Sequence, residues 1–121
     1  MIAKETLSLL RSEIDAKPGS FLLKLRTDLE WDHVAFSRLV RAMHEYVAMA
    51  EHGGTIERWI AEGFWYLGHF VRDWSQHPNF PRPLPSEYYE SAYERFHDLA
   101  YWLFHGESPY ESGSGFEDLG P

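Results

Sequence analysis

The sequence predicts an all-α fold, a compact antiparallel helical bundle of three to four main helices, and three observations predict it. Apolar residues recur three and four apart through long stretches, which gathers them on one face of a helix. No stretch alternates apolar and polar residues as a half-buried strand does. Glycine and proline clusters divide the periodic stretches, leaving short links that fold successive helices back on one another. At 121 residues the chain is the size of one folding unit, and its 44% hydrophobic and 17% aromatic residues supply apolar surface to offset chain entropy. A single helical domain over residues 1–107 is expected, with a flexible acidic tail over 108–121.

From Lys4 to Ala16 the helical spacing carries Leu7, Leu10 and Ile14, and Lys17, Pro18 and Gly19 stop it. Leu22, Leu25, Leu29, Asp32, Phe36, Leu39 or Val40, Met43, Val47 and Ala50 then keep the spacing as far as Gly53 and Gly54. Asp32 is the one charged position in that row, and Thr27 with Glu30 reads as a capping box. The segment therefore divides into a short helix from Phe21 and a long one starting near Asp28, one continuous helix being the alternative. Thr55 is the expected cap of the next helix, with Ile56, Trp59, Ile60, Gly63, Leu67, Phe70, Val71 and Trp74 on its apolar side and an end before Pro78.

Gly63 and Gly68 each weaken that helix by about 1 kcal/mol relative to alanine, which implies a packing reason such as a close backbone approach. Phe64, Trp65 and Tyr66 spread its apolar character, as in a deeply buried helix or one that lends a face to a partner. Pro78, Pro81, Pro83 and Pro85 forbid helix and predict an extended strap, with Phe80 and Leu84 tucked in. Ser86 is placed to cap the last helix, whose apolar side holds Tyr89, Ala92, Tyr93, Phe96, Leu99, Ala100 and Leu103, and Gly106 closes it.

The net charge of −8 is unevenly placed. From Pro83 onward there are Glu87, Glu90, Glu94, Asp98, Glu107, Glu111, Glu117 and Asp118 against Arg95 alone, so 1 − 8 = −7 resides there and −1 in everything before. That field repels phosphates and attracts cations, disfavouring nucleic acid and favouring a basic protein partner. Without cysteine there is no disulfide, thiolate metal site or cysteine nucleophile, which suits a cytoplasmic protein. The first ten residues break their apolar run with Lys4, Glu5 and Ser8, unlike a secretory signal. The longest uncharged apolar run, Gly63 to Val71, is far shorter than the ~20 residues a membrane helix needs, so no membrane is expected.

Glu87, Glu90, Glu94 and Asp98 recur three or four apart and stand on one helix face with almost no compensating cation. Tyr88, Tyr101 and Trp102 flank the apolar stripe beside them, and aromatic anchors next to charges are how protein interfaces are often built. These seven residues are the expected partner-binding set. Sixteen of the aromatic residues lie at or after Trp59, pointing to an aromatic core between the last two helices, an exposed patch for a partner or homodimer, or both.

A metal alternative uses Glu30 with His33 and Glu94 with His97, each pair one helical turn apart, as in carboxylate-bridged di-iron bundles. Against it, Glu30 is claimed by the capping box and Glu94 by the acidic row, so no cofactor is expected. His69 with Asp73 is a local pair, and His44, His52 and His105 share no periodicity. Ser112 and Ser114 among tail glycines lack the strand and helix of a nucleophile elbow.

The expectation is a non-enzymatic, acidic protein-binding module. Size, acidity and lack of cysteine make it similar in overall profile to small helical inhibitors that neutralise toxic nucleases, the immunity type. The alternatives are the metal-binding bundle with oxidoreductase or hydrolase activity, and a self-associating structural protein.

Overall fold

A computed structural model describes residues 2–50, 53–110 and 118–121. Five helices follow in order: α1 (Lys4–Ile14), α2 (Phe21–Leu23), α3 (His33–Met49), α4 (Arg58–Ser75) and α5 (Ser86–His105). Among the described residues there is no strand. The four longer helices pack as α1 on α3, α3 on α5 and α4 on α5. Cross-helix pairs fix their directions. Thr6 meets Glu45 and Glu13 meets Arg38, so α1 and α3 are antiparallel. Gly68 faces Phe96 while Ser75 reaches Tyr93, so α4 and α5 are antiparallel too. His33 on Tyr88 and His44 beside Trp102 make α3 and α5 parallel, the up-down-up-down order expected of short links.

The end of α1 is a Schellman turn, with Lys17 N–H donating to Ser12 O and Ala16 N–H to Glu13 O at 3.0 Å each. It places Ala16 in the left-handed region at φ 54°, where glycine is usual. Ser20 then caps α2 by accepting from Leu23 N–H. After one turn the chain loosens into a π turn over Lys24–Asp28 that Leu29 ends at φ 52°. The helix break is thus where the periodicity puts it, but α3 starts later than the expected Asp28. Its cap is Asp32, whose Oδ1 accepts from Ala35 N–H at 3.1 Å and whose Oδ2 accepts from Lys24 Nζ at 2.7 Å.

The capping box of Thr27 and Glu30 does not form: the Thr27 hydroxyl donates to Leu23 O, and Glu30 is exposed. Thr55 and Ser86 are not caps either, because Glu57 and Pro85 hold those positions in extended conformation without side-chain bonds. Gly106, at φ 79°, closes α5 as expected.

Residues 76–85 carry no helix between α4 and α5, with Phe80 buried and Leu84 half-buried. The core differs from an aromatic layer between α4 and α5. Most of its rings come from the N-terminal third and α5: Phe21, Trp31 and Phe36 interlock with Tyr88, Tyr89, Tyr93 and Phe96, mostly edge to face. From α4 come mainly the aliphatic Ile60, Leu67 and Val71 plus Phe64. Gly63 has its packing reason: a Cβ there would stand 2.3 Å from Ile14 Cδ1, so a side chain of α1 fills the space. Of the tail, Tyr110 lies against the rings of His44 and Trp102, and Asp118 pairs with Arg41 of α3. Residues 111–117, with Ser112 and Ser114, lie outside the described residues, as does His52.

Candidate functional site

The twenty-residue α5 turns one flank to the core and one outward. Glu87, Glu90 and Glu94 are exposed on the outward flank, and Asp98, half-buried, continues the stripe. None of the three glutamates forms an ion pair with a described residue, and Asp98 Oδ1 lies 3.3 Å from His97 Nδ1. Three residues after Asp98 comes Tyr101, 39% exposed, with its ring stacked 4.2 Å from the His105 imidazole.

Two members of the expected partner-binding set stand elsewhere. Tyr88 is buried, not exposed: its hydroxyl accepts from Trp31 Nε1–H at 2.9 Å and lies 2.6 Å from His33 Nδ1. The Tyr88 oxygen thus accepts from the indole and faces His33 Nδ1, the donor in that second contact depending on the imidazole tautomer. Burial pushes the Tyr88 hydroxyl up to about 12, despite the opposing bond from Trp31. Trp102 faces α3 rather than solvent, half-buried with its ring 5.6 Å from His44 and 6.3 Å from Tyr110. Tyr88 and Trp102, fourteen residues apart, sit on the same edge of the apolar arc, the one that meets α3, where periodicity does not settle which way a ring turns.

The fold does not join Glu30, His33, Glu94 and His97. His33 faces Tyr88 at the start of α3, while Glu94 and His97 stand on the outer flank of α5. Among the described residues no group of three or more His, Asp or Glu is arranged to hold a metal ion. No helix among them is long and apolar enough to cross a membrane.

The sequence reading missed a groove of about 360 Å³ between α4 and α5. One wall is Trp65, 57% exposed with its ring tilted against His69 at 4.6 Å, and the other is Tyr101 with Phe104, 47% exposed. Gly68 lies between them on the floor. The spacing of four between Trp65 and His69, and between Tyr101 and His105, was a visible signal; the apposition of the two helices was not. Known protein families, curated proteins and solved structures offer no match to this chain.

On the opposite flank His44 is held below the ordinary histidine range, mainly by burial and also by the Arg95 charge. A histidine whose folded value is lowered binds its proton more readily unfolded, so stability falls as pH drops through the ordinary histidine range and levels off below the folded value. The melting temperature is expected to fall through this group as pH drops through the ordinary histidine range. His44→Gln is expected to flatten that part of the curve, and an unchanged slope would show that another group carries it.

Proposed function

We propose that this domain is a non-enzymatic binding module that docks the outer flank of α5 onto a basic protein, in the manner of a neutralising, immunity or inhibitor-type partner. The observation that carries the reading is the stripe of Glu87, Glu90 and Glu94, exposed and in no ion pair with a described residue, which leads through Asp98 to the exposed Tyr101 ring. Like charges at this spacing weaken a helix by a few tenths of a kcal/mol per pair, so the row works against the isolated fold. A cationic surface relieves that repulsion, and the surrounding −7 field speeds its approach. The same field disfavours nucleic acid, and the lack of cysteine suits a reducing cytoplasm.

The test begins with capture of partners from the native host at low salt, followed by association kinetics on the protein identified. Glu90→Lys with Glu94→Lys is expected to slow association by about tenfold or more and to flatten its salt dependence. An unchanged rate in the folded double variant ends the proposal. A self-associating protein is the second reading, favoured by the exposed Trp65, Tyr101 and Phe104, and sedimentation over a range of concentrations separates the two.

A further inference from the structure

We infer that the α4–α5 groove receives the apolar face of a basic amphipathic helix, with that helix's cations lying along the acidic stripe; this rests on the reading of the stripe as a partner-binding face. A Cβ at Gly63 would stand 2.3 Å from Ile14 Cδ1 and 2.8 Å from its Cγ1, so Ile14 would have to move to admit one. At Gly68 the nearest atom to an added Cβ is Phe96 Cβ at 4.0 Å, an ordinary contact, so alanine fits. The fold thus keeps a helix-weakening residue mid-helix where its own packing does not ask for one. What Gly68 does is leave the groove floor at backbone level, where an incoming side chain reaches deepest.

The walls are what such a side chain meets: Trp65 on α4, and Tyr101 and Phe104 on α5, each more than a third exposed. The acidic stripe supplies the choice of occupant. The stripe lies outside the groove lining but next to it: Glu94 and Asp98 bracket the lining residue His97, one turn before Tyr101, so a ligand in the groove has carboxylates off its edge toward one end and rings at the other. Arg72 and Asp73 at the opposite wall carry opposite charges and leave that sign in place. A second copy of this chain would bring its own unpaired glutamates toward this stripe, which like-charge repulsion opposes. A helix with cations on one edge and apolar residues on its face satisfies both features. At 1.5 Å per residue, α4 and α5 are about 27 to 30 Å long, which suits a partner helix of about 18 residues.

The probe is a synthetic 18-residue leucine–lysine amphipathic peptide, titrated into the ¹⁵N-labelled full chain. A peptide of the same composition in scrambled order serves as the control. Saturable binding is expected to shift the Trp65 indole and Gly68 amide signals and to leave those of the buried Trp31 in place. Gly68→Leu and Trp65→Ala are each expected to weaken binding by about tenfold. Gly68→Ala, expected to melt higher than the parent, separates loss of the groove floor from loss of the fold.

Binding lost in the Glu90→Lys, Glu94→Lys variant but unchanged in Gly68→Leu and Trp65→Ala overturns the groove while leaving the acidic face standing. Equal affinity for the scrambled peptide, or no saturable binding below about 1 mM, also overturns it. A concentration-dependent dimer that Gly68→Leu dissolves would replace the basic helix with a second copy as the occupant.

Discussion

Replacing Phe36 by alanine is expected to cost about 3–5 kcal/mol and to leave the domain close to unfolding at 37 °C, since small domains hold about 5–15 kcal/mol in total. Phe36 is fully buried, with Trp31 and Phe96 at 5.5 Å, Phe21 at 5.7 Å and Tyr88 at 6.2 Å between ring centroids. Those neighbours belong to three separate stretches of chain, so collapse around the missing ring would have to move α2 and α5 together, and a cavity is expected to remain. Urea denaturation reads the loss as a lower midpoint at unchanged slope. Phe36→Leu keeps most of the volume and is expected to cost distinctly less. A loss below about 1 kcal/mol for alanine would mean that the ring cluster is not what holds α5 to the N-terminal third.

Glu13→Ala is expected to cost about 2–4 kcal/mol, a large effect for a residue that looks like surface in the sequence. The side chain of Glu13 is only 3% exposed. Its Oε2 accepts from Phe21 N–H at 3.0 Å and its Oε1 from Arg38 Nη2 at 3.3 Å, so one carboxylate ties α1 to the start of α2 and to α3. Alanine strands the Phe21 N–H in a buried place and leaves Arg38 with its bond to Gly19 O at 2.9 Å. Burial raises the Glu13 carboxyl above the ordinary carboxylate value, with the Phe21 N–H and Arg38 opposing.

The sign follows from proton binding. The folded state holds the Glu13 proton more tightly than the unfolded chain, so the stability linked to it is present below the ordinary carboxylate value and is lost as pH rises through the raised one. Glu13→Gln keeps an acceptor for Phe21 N–H and lacks the titration. Its melting temperature is expected to lose that acidic-range slope and to exceed that of Glu13→Ala throughout. Identical curves for the Gln variant and the parent would show that Glu13 does not titrate with folding.

Helix number, order and packing face were legible in the sequence because they depend on local spacing. The apolar rows around Phe36, Leu39 and Met43, and around Tyr89, Phe96 and Leu99, are buried as the periodicity has them. Helix starts were less legible, since Thr27, Thr55 and Ser86 are all good caps by type. The competing devices won for reasons local sequence does not display: a π turn displaced the start of α3 to Asp32, and extended backbone at Glu57 and Pro85 set the other two. In the candidate site, the acidic stripe is a property of one helix and was readable. Tyr88 turned inward to residues 57 and 55 positions away, Trp31 and His33, and the groove needs two helices laid side by side. Gly68 and the four-residue spacings of Trp65 with His69 and of Tyr101 with His105 were its traces in the sequence.

The interlocked rings have a consequence for how fast and in what order the chain folds. Phe21, Trp31 and Phe36 pack on one another but find the rest of their ring partners in Tyr88 to Phe96, and Trp74 Nε1–H reaches back 49 residues to Leu25 O. Helical bundles with neighbour-only contacts close quickly, whereas loops of this length must be closed before the core rewards them. During synthesis the first three rings therefore have only one another for cover until α5 arrives, which leaves apolar surface of the N-terminal half exposed in the meantime.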